Sequence, residues 1–444
     1  MGNHGNAYQL KEEIAEKIRT SLYLPLIEHE EVLRQRTNEE KDSRDREEYQ
    51  RDYTRILYSS AFRRLQGKMQ LMPMNGMNFI RNRLTHSLEV AQIARSIAID
   101  IGYKVNELYV VEAASLAHDI GNPPFGHYGE KVLNNIIQNK CDYLKCCMEE
   151  IEGFEGNAQT LRVLTKLSGK SNQYEGLNLT NRVLLGVTKY FNTFSEDKNK
   201  FIYKSDYEVL SKLVSEYQLP KRTLDVQIMD LSDEIAYAAH DIEDTLKNRK
   251  FTIEEFVQEF RNNKNLEHDF SESEISNACD FIENDIINEA KSRIEGNAVQ
   301  YNDLFAKEIG SLIIYNLIRN IDVVESESGE KTLDFTRKFK VIAGGLKKIT
   351  FECINRENEV RYYEHGGEII LKELFDYFFK NHKFLPREYC DQIKDENDDK
   401  QKIRPVIDYI SGMMDGYAIS MHKEIYGENR FKVYGFVGVN NENK

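Results

Sequence analysis

The chain has 444 residues, 40% of them hydrophobic and 30% charged, with 60 Lys+Arg against 74 Asp+Glu and a net charge of -14. That apolar share supports a sizeable core and excludes a disordered chain, and the length allows roughly three domains or one large one. Such acidity excludes a general binder of nucleic acid or of an anionic membrane surface, and six irregularly spaced cysteines make no disulfide framework.

The N-terminal MGNHGNAYQLKEE carries acids and no apolar run, so it does not read as a signal peptide. Asn6 stands where a myristoylation signal after Met1-Gly2 needs Ser or Thr. No stretch of 18 apolar residues occurs, which argues against a transmembrane helix. With cysteine usage that suits a reducing compartment, these features predict a cytoplasmic protein. Seven prolines and 25 glycines are few for this length, favouring long helices over many short strands.

Apolar residues then recur at helical spacing. Residues 53–65 put Tyr53, Ile56, Leu57, Ala61 and Leu65 on one stripe. From Leu84 to Ile101 the pattern is apolar over much of the circumference, which predicts a buried helix. Further helices are predicted over 106–119, 225–247, 304–321, 342–355 and 366–380. Breaks fall at MPMNGMN (72–78), GNPPFG (121–126) and SESGE (326–330). Segments 141–157 and 191–206 read as polar loops, and 391–399 as a solvated acidic run. There is no internal repeat. Between Arg44 and Arg83, nine Lys/Arg stand against four acids. This local excess reads either as a solvated helix face or as a phosphate cradle.

Three elements carry side chains of metal-ligand type. His86 lies in the first turn of an apolar helix, His118-Asp119 ends another, and Asp233-Glu234 sits inside a third. Charged groups on buried helices are costly unless paired or metal-bound. Two imidazoles with carboxylates suit Mn²⁺, Fe²⁺, Ni²⁺ or Zn²⁺. Each element alone is weak, since a lone histidine on an apolar helix is more often a satisfied core residue. The ordered set of three is more specific.

His…His-Asp…Asp in this order resembles the HD superfamily of metal-dependent phosphohydrolases. The stretch HDIGNPPFGHYGE (118–130) resembles the signature of its deoxyguanosine triphosphate triphosphohydrolase (dGTPase) branch. Similar blocks surround it: RDREEYQRDYTRILYSSAFRRLQGKMQL (44–71), FEGNAQTLRVL (154–164), LSDEIAYAAHDIED (231–244) and RPVIDYISGMMDGYA (404–418). The resemblance covers about 40–435 in consistent order. Gly416 stands where it leads one to expect Arg, and 250–340 match only loosely.

The resemblance implies an all-α fold: a large helical HD domain at 41–247, an N-terminal helical extension at 1–40, and a helical C-terminal lobe at 248–444. It implies His86, His118, Asp119 and Asp233 as metal ligands, Asp233 being four before Tyr237 in the family's Asp-x-x-x-Tyr. It implies His127 and Glu130 as the catalytic pair, which three-residue spacing near a helix start can place on one face. Gln70, Tyr237 and Asp241 match sugar-holding positions. Arg83 lies one helical turn before His86 and can reach a phosphate bound to the same metal, and Lys189-Tyr190 resembles a Lys-Tyr pair that contacts phosphate. The implied cofactor is a divalent metal, Mn²⁺ or Mg²⁺ first, with Fe²⁺, Ni²⁺ or Zn²⁺ compatible. The implied activity is hydrolysis of deoxynucleoside triphosphates, dGTP foremost, to deoxynucleoside and inorganic triphosphate. Homo-oligomers, often hexamers, and activating nucleotides at interfaces are further implications. The alternatives are an HD phosphohydrolase of another nucleotide class, such as a 5′-phosphatase or cyclic-dinucleotide phosphodiesterase, or a nucleotide sensor with a decayed site.

Overall fold

A computed structural model describes residues 10–38, 46–70, 81–145, 151–169, 174–294, 298–326, 329–355 and 357–427. The cluster at 72–78, Met1-Gly2, Asn6, His4, Cys146 and Cys147 lie outside the described residues. The described residues form an all-α fold with one small β-hairpin. Among the described residues no helix is long and apolar enough to cross a membrane.

The helix Arg83–Ile101 begins at a capping box, in which the Asn82 side chain accepts from the Thr85 amide at 3.0 Å. It ends at Gly102, whose φ of 99° lies in the left-handed region. Between these ends Val90, Ile93, Ala94, Ile97, Ala98 and Ile101 are buried. Burying such a Val or Ile contributes about 1.5–3 kcal/mol. This helix packs against Leu108–Ala117 and against Leu224–Lys247, a 24-residue helix buried along most of its length. The helices Ala298–Arg319 and Arg337–Asn355 cover the remaining sides of Leu224–Lys247. The result is a helix enclosed all round, so any ionisable group on it needs a specific partner.

Among the described residues two large apolar cores form, beside a small cluster of Ala158, Phe194, Phe201 and Tyr203. The larger runs from Leu10 to Ile349 and contains the three helices that carry His86, His118-Asp119 and Asp233. The smaller joins the helix Gly126–Leu144 to Asn358–Lys380 and Asp399–Ser411 through residues such as Leu133, Leu371 and Ile407. Met69 and Phe125 belong to this second core, although each lies next to a segment bearing candidate site residues.

Several elements depart from the sequence expectation. The stripe over 53–65 is two helices, Glu48–Leu57 and Ser60–Arg64, because the Ser59 hydroxyl accepts from the Phe62 amide at 3.1 Å and starts a new helix. The helix predicted to reach 321 stops at Arg319, and Ile321–Glu325 pairs antiparallel with Lys331–Phe335. Ile321, Val323, Leu333 and Phe335 alternate inward, so one face of the hairpin is buried. The Leu333 amide donates to Gln227 Oε1 at 2.7 Å, tying the hairpin to the long helix. The segment expected as a loop from 141 is helical to Leu144. In the acidic run, Asp398 caps the next helix by accepting from the Lys400 amide at 3.0 Å.

Candidate metal and phosphate site

His86, His118 and Asp119 are all buried, and their ligand-type atoms lie within 4.8 Å of one another. Asp233 Oδ1 lies 3.0 Å from His86 Nε2 and 3.5 Å from His118 Nε2. It is Asp233, rather than the adjacent Glu234, that reaches the two imidazoles. His118 Nδ1 sits 2.6 Å from the Ser115 carbonyl, so the proton is assigned to Nδ1 and the Nε2 lone pair is aimed inward. That Nε2 is buried with no hydrogen-bond partner among the described residues. Asp119 is itself held in place, Oδ1 by the Asn122 side-chain amide and Oδ2 by Arg83 Nη1 at 2.6 Å.

The electrostatics fit this arrangement. Burial pushes the Asp119 carboxyl up, but Arg83 and the neighbouring imidazoles outweigh it and hold it below the usual carboxylate range. Asp233 is held low in the same way by His118 and Lys189, against its own burial. Burial pulls His118 down, yet Asp119 and Asp233 push it up to about 9. For His86 burial wins, and its pKa is lowered. Two buried carboxylates thus draw positive charge toward a point faced by two imidazole nitrogens. Once the His118 ring gives up its extra proton, its inward Nε2 beside ionised carboxylates completes a donor set that could hold a divalent cation.

The segment from His118 to Gly126 leads away from this cluster. Thr160 Oγ1 donates to the His118 carbonyl at 3.0 Å and accepts from the Gly121 amide at 2.9 Å. A Cβ on Gly121 would lie 2.1 Å from the Thr160 nitrogen, so only glycine allows this approach. The next helix, Gly126–Leu144, carries His127 and Glu130 in its first turns. His127 is largely exposed, with its Nδ1 3.4 Å from Glu130 Oε2. Glu130 Oε1 accepts from the Gly156 amide at 3.2 Å. Burial pushes the Glu130 carboxyl up, but His127, Lys200 and that amide together lower it. A Cβ on Gly156 would lie 2.7 Å from Asn122 Oδ1 and 3.6 Å from Glu130 Oε2. Gly156 therefore separates the amide that holds Asp119 from the carboxylate that faces His127.

The other singled-out residues divide into two groups. Arg83 is fully buried, and its Nε and Nη2 have no hydrogen-bond partner among the described residues. Gln70 is buried with both side-chain polar atoms in the same condition. The Tyr237 ring lies 4.8 Å from that of His86, with Lys347 Nζ 4.8 Å from its centroid. Asp241, one turn on, is buried, and burial with Asp244 nearby raises its pKa well above the usual value. Of these, Arg83 and Tyr237 touch the cluster directly, and Asp241 follows Tyr237 on the same helix. Lys189 is placed differently: its Nζ pairs with Asp230 at 2.6 Å and reaches Asp233 Oδ2 only at 3.5 Å. The half-buried Tyr190 lies under Lys200, 4.9 Å from Nζ to ring centroid.

Several cations of the basic stretch before His86 are already engaged within the fold. Arg81 is paired with Glu89, Glu243 and Asp244, Arg55 donates to the carbonyls of Leu177 and Asn178, and Arg51 pairs with Glu48. His240 lies 3.0 Å from Glu89, one of the acids that pair Arg81. Gly416 sits in open space, with no heavy atom within 4 Å of a Cβ built there. Sequence reasoning passed over Asn122, Ser115, Asp230, Lys347 and Lys200. Asn122 stood within the HDIGN stretch and was the one with a local signal.

Comparison with known proteins agrees with this geometry. Residues 83–238 match the HD domain and residues 333–424 the phosphohydrolase-associated domain. The first match begins at Arg83 and ends one residue past Tyr237, so it contains all three helices of the His/Asp cluster. HD domains bind divalent metals. The chain is 42% identical over 395 residues to deoxyguanosinetriphosphate triphosphohydrolase-like protein 2 of Vibrio cholerae, covering 86% of this chain and 90% of that one. It is 31% identical over 430 residues to a protein of the same description from Deinococcus radiodurans, covering 86% and 92%. A deoxyguanosinetriphosphate triphosphohydrolase-like protein of Shewanella halifaxensis is 31% identical over 431 residues, again covering 86% and 92%. A buried His/Asp cluster on three HD-domain helices and similarity over most of the length of these relatives lead to one conclusion: the chain belongs to the deoxyguanosinetriphosphate triphosphohydrolase-like family of HD-domain phosphohydrolases.

Proposed function

We propose that the protein hydrolyses deoxynucleoside triphosphates, dGTP foremost, to deoxynucleoside and inorganic triphosphate. The observation that carries this reading is a juxtaposition. The cation-type donor set of His86, His118, Asp119 and Asp233 adjoins Arg83, whose two unpartnered buried nitrogens are suited to a phosphate oxygen. The relatives' names supply the nucleotide class.

The four His and Asp side chains would hold a divalent ion, Mn²⁺ or Mg²⁺ first among the candidates. Bound there, such an ion supplies Lewis acidity and charge at a phosphate oxygen. Arg83 binds the α-phosphate region from the Asp119 side, and Lys189 adds positive charge in a protein whose net charge is -14. His127 accepts a proton from the attacking water, while Glu130 steadies its Nδ1–H and favours the imidazolium. The hydroxyl adds to the α-phosphorus, the bond to the 5′-oxygen breaks, and that oxygen leaves with a proton as the deoxynucleoside. Asp241 accepts from the 3′-hydroxyl, Gln70 contacts the same group, and Tyr237 packs against C2′.

Family membership also supports a homo-oligomer, which sedimentation velocity tests; a monomer at micromolar concentration would contradict it. For the activity, metal-loaded protein is incubated with each dNTP and each NTP and the free nucleosides are separated. Release of deoxyguanosine that stops on chelation is the expected result. Nucleoside monophosphate as product, or no turnover, overturns the reading.

A further inference from the structure

The carboxylate of Asp415 lies far from the His/Asp cluster in sequence, yet it gathers three donors around one buried point. Its Oδ2 accepts from the Met69 amide at 2.9 Å and the Tyr363 hydroxyl at 3.0 Å, and its Oδ1 accepts from the Phe125 amide at 3.1 Å. Asp415 is 2% exposed and opens the helix Asp415–Tyr426. Met69 precedes Gln70, and Phe125 precedes the helix that carries His127 and Glu130. The residue thus ties both segments to the C-terminal lobe at one place.

The neighbours reinforce the tie. Lys68, 2% exposed, donates from Nζ to the Asn122 carbonyl and, at 2.9 Å, to the Ser411 carbonyl. Asn122 in turn holds Asp119 through its side-chain amide. Phe125 has φ 64°, a left-handed conformation that a bulky residue rarely adopts without being held. Its ring is gripped edge-on by Tyr363 at 5.4 Å, and a Cβ on Gly367 would lie 2.5 Å from it. Three donors converging on one group demand an acceptor-only side chain, which an ionised aspartate is and an asparagine is not.

We propose that Asp415 is a positioning residue: its carboxylate clasps the Met69 and Phe125 amides and so fixes Gln70 and the His127/Glu130 helix start relative to the His/Asp cluster. The catalytic part of this inference rests on the function proposed above. The structural part does not.

The test uses full-length protein and Asp415→Asn, which keeps size but turns an amide donor toward at least one of the three donors. Hydrogen–deuterium exchange is followed in peptides covering 66–70 and 119–130, with Leu224–Lys247 as internal reference. Exchange at least tenfold faster in both peptides, with the reference unchanged, is expected. On dGTP, kcat falls at least tenfold at unchanged metal content. Ile370→Val, a buried substitution in the same lobe, lowers the melting temperature but leaves kcat alone. Exchange and kcat within twofold of wild type overturn the proposal. If Asp415→Asn does not fold, Tyr363→Phe, which keeps the ring and removes the phenolic donor, carries the test. It is expected to exchange at least threefold faster in the same peptides, and wild-type rates there overturn the clasp. A wild-type protein that turns over no dNTP sinks the substrate reading alone, because exchange still decides the clasp.

Discussion

Arg83 Nη1 donates to Asp119 Oδ2 at 2.6 Å, while the other two nitrogens of the same guanidinium stay buried without a hydrogen-bond partner. One bond holds a candidate metal ligand and the free pair faces whatever binds beside it. A lysine cannot do both, since it lacks the planar fork. Arg83→Lys should therefore keep metal content but lose phosphate contacts. A charge-assisted hydrogen bond contributes about 1.5–3 kcal/mol, so kcat/KM for dGTP should fall roughly 10- to 100-fold. An unchanged kcat/KM would leave Arg83 as an internal ion-pair partner only.

Metal content separates the two sets of site residues. His86→Ala or Asp233→Ala removes one of four clustered donors and should abolish both bound metal and turnover. His127→Ala should lower the rate by about 10² or more, because positioned acid–base groups contribute about 10²–10⁴, while metal stays bound. Glu130→Gln should act in the same direction more mildly by freeing the His127 ring. Elemental analysis beside steady-state kinetics reads both. Full metal in the first pair, or lost metal in the second, would reassign the residues.

On the proposed function, sugar selectivity would rest on Tyr237 and Asp241, four residues apart on the helix that carries Asp233. A 2′-hydroxyl against the Tyr237 ring would clash or lie buried without a partner, at a cost of about 1–3 kcal/mol. Wild-type protein should cleave dGTP at least about tenfold faster than GTP under matched conditions. Tyr237→Ala should narrow that gap, and Asp241→Ala should lower kcat/KM for deoxynucleotides. Equal rates on GTP and dGTP in the wild type would remove the sugar-pocket assignment.

Lys68 gives the stability a pH dependence of known sign. Burial, with Arg64 and Arg83 adding to it, pushes its ammonium down to about 7 against a pull from Asp415 and Asp119. Unfolded, the same group titrates near 10.5. Between these values the unfolded chain binds the extra proton, so stability climbs with pH; below about 7 both states carry it and the contribution is flat. Relative to Lys68→Met, wild-type protein should gain about 2 kcal/mol between pH 7 and 9. Parallel thermal-stability profiles for the two proteins would show that Lys68 does not titrate in this range.

The candidate ligand cluster was legible because each donor stands at a helix end or on an otherwise apolar helix, where polarity is conspicuous in one dimension. His127 and Glu130 were named through the resemblance of HDIGNPPFGHYGE to the family signature, with which their three-residue spacing just after a Gly/Pro break is compatible. The hairpin at 321–335 was not: two five-residue strands alternate too briefly to compete with the helical pattern that runs into Ile321. Nor was the division at Tyr58-Ser59, which one hydroxyl cap creates inside a continuous apolar stripe. Asp415 bonds to residues 346 and 290 positions away, and Lys68 bonds to a carbonyl 343 positions away. Such contacts depend on how two cores meet, which local spacing does not encode. In the basic stretch, Arg81 pairs with Glu89 eight residues on and with Glu243 and Asp244 more than 150 residues later, and local spacing shows only the first of these.

The most direct measurement is ³¹P NMR of dGTP incubated with Mn²⁺-loaded wild-type protein. Hydrolysis at the α-phosphorus with loss of the 5′-oxygen predicts inorganic triphosphate as the first phosphorus-containing product, equimolar with deoxyguanosine. Orthophosphate or pyrophosphate appearing first, with dGDP or dGMP, would contradict it.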